Sequence, residues 1–158
     1  NSIADVIREE YPEADVIMGT ATAGIAHAAI AAHILGLPMG YVRSGAKDHG
    51  RGNQIEGQLN KGDKVVIVED LISTGGSVID AATALRNAGA EVLGIVSIFT
   101  YGMQKGLDRL AQENLKNISL TNFDVISEVA VDESYIRPED RERLIAFRNN
   151  PSDEGWIK

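Results

Sequence analysis

No cysteine occurs among the 158 residues, which excludes a disulfide framework and thiol chemistry and leaves the redox compartment open. Long apolar runs are missing too. The most apolar stretches are interrupted by His, Gly or Pro, so none has the length of a membrane span, and no signal-peptide pattern is seen. A cytoplasmic protein is the expectation. Positive charge is scarce: 15 Lys and Arg stand against 23 Asp and Glu, and the net charge of −8 disfavours non-specific nucleic-acid binding. The basic residues that do cluster lie between Arg43 and Arg51, which confines anion affinity to one place. Neither repeats nor low-complexity tracts are visible. Length and a 44% apolar content suit one soluble globular domain over residues 1–158.

The most informative stretch runs from Val65 to Ser77, VVIVEDLISTGGS. Four apolar β-formers without alternation suit a strand buried on both faces, as in a parallel sheet. They end at two adjacent carboxylates, Glu69 and Asp70. A small-residue loop follows, and an amphipathic segment starts at Val78. Thr74, Gly75 and Gly76 suit a tight turn whose outward N–H groups open a helix, where the dipole favours an anion. Hydroxyls of Ser73, Thr74 and Ser77 add donors. An ordinary turn with a serine cap would look similar in isolation, but the acidic pair in front of it argues for a phosphate cradle. A nucleotide-triphosphate loop is excluded by the missing Gly-Lys-Ser/Thr ending. Adjacent carboxylates repel, a cost easier to explain if both bind something. Ribose hydroxyls are natural donors to them, and a nearby magnesium ion would offset their charge. Strand side chains alternate, so the two have unequal roles, with Asp70 nearer the loop as the stronger candidate.

Around this motif, strand and helix signals alternate. Strands are expected at Asp15–Met18, Met39–Arg43, Lys64–Asp70, Val92–Phe99 and Asp124–Val129. Helices are expected at Gly24–Leu35, Ser77–Ala88, Leu107–Leu115 and Pro138–Asn149, with a helical pattern already under way at Ile3, Val6 and Ile7. Such alternation implies an α/β fold with an open, mainly parallel sheet flanked by helices. The exception is Ser44–Asn60, glycine-rich and without either period. A stretch of this kind inside a compact domain suits a lid or binding loop, and Lys47, Asp48, His49 and Arg51 favour a lid that closes on an anion. His27 and His33, on an Ala-rich helix, read as structural or surface residues. Trp156 reads as an anchor for the tail.

Together the strand, acidic pair and small-residue loop resemble the phosphoribosyl-pyrophosphate (PRPP) motif of type I phosphoribosyltransferases. Tyr41–Gly50 (YVRSGAKDHG) with Asn53–Gly57 (NQIEG) resembles the catalytic loop of orotate phosphoribosyltransferases, and Gly19–Ile25 (GTATAGI) is similar to that family's pyrophosphate-side loop. The matched stretch, Asp15 to Tyr101, covers about half the chain. The resemblance implies a Rossmann-like core and transfer of 5-phosphoribosyl from PRPP to orotate, giving orotidine 5′-monophosphate and pyrophosphate in pyrimidine synthesis. It implies magnesium as cofactor, with no direct protein ligand assigned to it, and a homodimer with shared active sites. Nucleic acid and membrane are not expected partners.

Residue by residue, the resemblance assigns PRPP to Arg43, Lys47, His49 and the run Glu69, Asp70, Leu71, Ile72, Ser73, Thr74, Gly75, Gly76 and Ser77. Lys47 and His49 are the catalytic candidates, reaching into the neighbouring subunit's site. Ser73 is placed near the orotate carboxylate. Thr20, Ala21, Thr22, Ala23 and Gly24 form the pyrophosphate loop, although on the residues alone an ordinary βα turn is equally good. The sequence also departs from the family. Lysines that some members carry at the positions of Ala23 and Ser44 are absent, as is an arginine near Tyr101. An N-terminal piece of several dozen residues, which in the family forms a hood over the base, is expected to be missing. Two alternatives share the PRPP motif: a purine-type phosphoribosyltransferase, and a PRPP-sensing regulator without catalysis.

Overall fold

Helix and strand alternate along the chain: α1 (Ser2–Glu10), β1 (Val16–Thr20), α2 (Ala23–Leu35), β2 (Met39–Val42), β3 (Ile55–Gly57), β4 (Lys64–Ile72), α3 (Gly76–Asn87), β5 (Glu91–Thr100), α4 (Gln104–Gln112), β6 (Asn117–Asn122), α5 (Phe123–Asp132) and α6 (Pro138–Asn149). This is a computed structural model, and it describes residues 1–43, 45, 54–153 and 155. One six-stranded sheet runs in the order β3, β2, β1, β4, β5, β6. All neighbours are parallel except β3, which pairs antiparallel with β2. The expected α/β architecture is present.

The central strands β1 and β4 explain the unalternating apolar runs. Both of their faces are covered, so residues of either parity are buried. Val16, Met18, Val65 and Ile67 pack with Val78, Ala82 and Leu85 of α3 and Leu110 of α4. Their neighbours Ile17, Val66 and Val68 pack the other way, with Ile7 of α1 and Ala28, Ala31 and Ala32 of α2. Ile17, Ile67, Leu85 and Ile95 have no exposed surface, and truncating any one to Ala would cost about 2–5 kcal/mol through lost transfer energy and a residual cavity.

Two expectations need correction. Asp124–Val129 is not a strand; it lies inside α5. The Asn122 side chain accepts a hydrogen bond from Val125 N at 3.0 Å and caps the helix. Its strand-forming Val125, Ile126 and Val129 are about half exposed, so no sheet packing rewards their β-branching. The sixth sheet position is taken instead by Asn117–Asn122, a more polar edge strand. The irregular stretch Ser44–Asn60 also contains a strand, because Ile55–Gly57 pairs with Val42–Gly40. Asparagine 117 and Ser119 tie this edge to β5 through the fully buried Ser97 hydroxyl, at 3.0 and 2.6 Å. Among the smaller shifts, α4 begins at Gln104 rather than Leu107, whereas α6 has the expected bounds with Pro138 in its first turn. Trp156 lies outside the described residues.

Candidate active site

Strand order reverses between β1 and β4. The chain leaves β1 through α2 on one face of the sheet and leaves β4 through α3 on the other. The loops after these two strands therefore diverge and open a crevice at their carboxyl ends, where open α/β sheets take ligands. The pyrophosphate-loop candidates Thr20–Gly24 and the phosphate-loop candidates Ser73–Ser77 are these two loops. They are held close together: Thr20, 4% exposed, donates its hydroxyl to Val68 O at 3.3 Å. A Cβ on Gly24 would sit 2.6 Å from that same carbonyl, so the approach of α2 to β4 tolerates only glycine. The Ala21–Thr22 peptide is cis.

After β4 the backbone turns through Gly75, whose φ of +74° is strained for any residue with a Cβ. Gly75 occupies the N-cap of α3 and, having no side chain, leaves the first-turn amides uncapped. Those amides and the positive end of the helix dipole form a cradle for an anion. Around it, Ser73 and Thr74 are half-buried and Ser77 is exposed. Leu71 is exposed, while the Ile72 side chain belongs to the core and its carbonyl accepts Tyr101 N at 3.0 Å. Ile72 thus supports the loop from beneath.

The acidic pair divides as strand alternation requires. Glu69 is buried, 4% exposed, and accepts from Asp70 N at 3.0 Å and from the Ser77 hydroxyl at 3.4 Å. Burial, reinforced by the neighbouring Asp70 side chain, pushes its carboxyl up to about 7, while the Thr20 hydroxyl pulls it the other way. Asp70 is half-buried beside it. The hydrogen bond to the candidate phosphate loop runs from Ser77 to Glu69, although Asp70 is nearer in sequence.

Arg43 stands at the end of β2 and pairs with Glu56 of β3, and its backbone exchanges hydrogen bonds with Gln54 at 2.9 and 3.0 Å. These contacts set the two feet of the catalytic-loop candidate on the same side of the sheet as the two βα loops. Lys47 and His49, with Ser44, lie outside the described residues. His33 is exposed and His27 half-buried on α2. At the carboxyl end of β5, Tyr101 packs edge-on against Phe99 and tilted against Phe123, with centroids 5.0 and 5.7 Å apart. Arg148 lies over Phe123 at 5.9 Å and makes a two-point ion pair with Asp124. Reasoning from the sequence missed one contact to the loop Ser73–Ser77: Arg109 of α4 donates to Thr74 O at 3.1 Å. A single arginine on an amphipathic helix carries no signal that separates it from a solvated one.

No group of three or more metal-ligating side chains occurs among the described residues. The adjacent carboxylates Glu69 and Asp70 still fit magnesium in its usual manner, as one or two carboxylates completed by substrate phosphates and water.

A family model for the phosphoribosyl transferase domain matches residues 2–134. The chain is 55% identical over 157 residues to an orotate phosphoribosyltransferase of Listeria innocua, covering 99% of this chain and 74% of that protein. It is 51% identical over 158 residues to the orotate phosphoribosyltransferase of Bacillus subtilis, covering 100% of this chain and 73% of that one. Among solved structures, the orotate phosphoribosyltransferase from Aeropyrum pernix superposes with a TM-score of 0.71 at 30% identity, covering 80% of this chain and 73% of that chain.

Proposed function

The chain belongs to the phosphoribosyltransferase family, among its orotate phosphoribosyltransferases, and we propose that the crevice between β1 and β4 transfers 5-phosphoribosyl from PRPP to orotate, giving orotidine 5′-monophosphate and pyrophosphate. The observation that carries this reading is the uncapped start of α3 at Gly75 beside the carboxylates of Glu69 and Asp70. An anion cradle next to hydroxyl acceptors suits a phosphorylated sugar.

In this reading the 5′-phosphate sits in the loop Ser73–Ser77, held by first-turn amides and by the hydroxyls of Ser73, Thr74 and Ser77. Glu69 and Asp70 take the ribose hydroxyls. The loop Thr20–Gly24 faces the pyrophosphate, across the crevice from the phosphate cradle. With ribose held at both ends, C1 is positioned for attack by the orotate ring nitrogen, which gives up its N–H proton to water as the new bond forms, and positioning is the main contribution of these loops. As the bond from C1 to the pyrophosphate oxygen breaks, its electron pair leaves with pyrophosphate and positive charge builds on the ring. Arg43 and Lys47 neutralise the departing charge, and His49 donates a proton to a phosphate oxygen. Magnesium, when bound, supplies further charge compensation at the pyrophosphate. Ser73 lies on the side from which the orotate carboxylate approaches. A cytoplasmic homodimer, with Lys47 and His49 serving the neighbouring site, completes the reading.

The test is product formation with PRPP and magnesium offered orotate, adenine or xanthine. Turnover on orotate alone is expected. Turnover on a purine instead would move the chain to the purine-type enzymes, and PRPP binding without turnover on any base would make it a sensor.

A further inference from the structure

Helix α4 turns one face onto the phosphate loop, and that face consists of Gly106, Arg109 and Leu110, residues at the i, i+3 and i+4 spacing of a helix stripe. A Cβ on Gly106 would sit 2.5 Å from Ser73 O and 3.4 Å from the Thr74 Cα. Leu110, 5% exposed, is within van der Waals reach of Gly75, at 3.5 Å from a Cβ built there. Between them, Arg109 places its guanidinium against the loop and donates Nη1 to Thr74 O at 3.1 Å. The same guanidinium nitrogens lie 3.5 and 3.8 Å from a Cβ built on Gly76, the first residue of α3.

This position needs an explanation. A cation at a helix N-terminus faces the positive end of the dipole and is disfavoured there. Arg109 makes no ion pair among the described residues that would hold it in place. What it does engage is one peptide group. In a trans peptide the carbonyl of one residue and the N–H of the next point in opposite directions. A guanidinium that draws the Thr74 carbonyl outward therefore turns the Gly75 N–H inward, toward the cradle, and that N–H has no partner among the described residues. Drawing on the carbonyl also polarises the peptide, which strengthens its N–H as a donor.

We propose that Arg109 is a positioning residue for the 5′-phosphate site: through its hydrogen bond to Thr74 O it orients and polarises the Thr74–Gly75 peptide, so that the Gly75 N–H is pre-aimed at the phosphate. Gly106 is the small residue that lets α4 come close enough for this contact. The inference rests on the reading of Ser73–Ser77 as the 5′-phosphate loop and adds the outer support that this reading lacked.

The test compares wild type with Arg109→Met, Arg109→Lys and Gly106→Ala. Binding of ribose 5-phosphate and of inorganic pyrophosphate is measured by calorimetry, together with KM for PRPP, kcat with orotate, and thermal unfolding. Arg109→Met should weaken ribose 5-phosphate and raise KM for PRPP by about tenfold, the size of one charge-assisted hydrogen bond. Pyrophosphate affinity and kcat should stay within about twofold, and Arg109→Lys should recover part of the loss. Gly106→Ala should weaken ribose 5-phosphate in the same direction, and with Arg109→Lys it carries the test if Arg109→Met does not fold. Unchanged ribose 5-phosphate affinity in these variants, or an equal loss for pyrophosphate, overturns the positioning role. If wild type itself binds neither ribose 5-phosphate nor PRPP, the reading of the loop fails, and the inference with it.

Discussion

Glu69, in the carboxyl-terminal half of the central strand β4, and Ser77, in the first turn of α3, are joined by a hydrogen bond of 3.4 Å from the serine hydroxyl to the buried carboxyl. This contact spans the loop between β4 and α3. The carboxyl that receives ribose in the proposed reading is thereby linked to the helix start that receives phosphate, so the two ends of the phosphoribosyl group are measured against one rigid unit.

The burial of Glu69 has a pH consequence. Its folded value of about 7 lies above the ordinary 4.5. Native Glu69 keeps its proton where the unfolded chain has lost it, so its contribution to stability declines as pH rises from about 4.5 to about 7, and the penalty is complete above that. Glu69→Gln, which cannot ionise, should match wild type in urea unfolding at pH 4 and exceed it at pH 8 by on the order of 2 kcal/mol. PRPP affinity should fall at both values. A variant no more stable than wild type at pH 8 would remove the argument that burial strains this carboxylate.

Gly75 tests backbone geometry apart from sterics. Its φ is +74°, yet a Cβ there would meet Leu110 and Ile79 only at ordinary contact distances of 3.5–3.7 Å. Gly75→Ala should therefore cost about 1–2 kcal/mol from the left-handed conformation alone, and should weaken PRPP if the loop shifts to relieve it. Chemical denaturation and calorimetry on the same sample give both numbers.

Lys47→Ala addresses the loop between β2 and β3. A cation that acts on developing charge should, when removed, lower kcat by about a hundredfold while PRPP binding changes little. Parallel losses in kcat and binding would indicate a ground-state contact. Mixing Lys47→Ala protein with a Gly75 variant should restore activity if sites are shared between subunits, and the absence of rescue would dismiss the trans-acting arrangement.

Arg148 links α6 to α5 through both nitrogens, at 3.0 and 3.2 Å from Asp124, with its side chain only 15% exposed. Arg148→Met should lower stability by about 1–3 kcal/mol, and combining it with Asp124→Asn should cost less than the two single changes added together. Additive losses in the thermal unfolding cycle would mean that the pair contributes nothing through direct contact.

Much of this molecule follows from local sequence. The doubly buried strands announce themselves as unalternating runs, Val65–Val68 most clearly, because both faces of a central parallel strand meet helices. Gly75 and the acidic pair in front of it could be placed at a strand-to-helix turn because left-handed geometry and an uncapped helix start demand particular residues. Edge elements were less legible. The strand Asn117–Asn122 is half polar because one of its faces serves hydrogen bonds with Ser97, and the helix after it carries β-branched residues that face outward, so composition misrepresents both. Ile55–Gly57 is too short to show a period and exists only because Met39–Val42 lies beside it.

Tertiary structure alone decided which carboxylate bonds across the loop Ser73–Ser77 and what stands behind that loop. Glu69 is the one linked to Ser77 because the pleat of β4 turns it inward, a matter of register that sequence distance does not measure. Arg109 is separated from Thr74 by the whole of α3 and β5, and only the packing of α4 on the loop before α3 brings its guanidinium to that carbonyl. Local chemistry determines what each segment can be, whereas contacts between distant segments depend on how the layers close, and that is a property of the whole core.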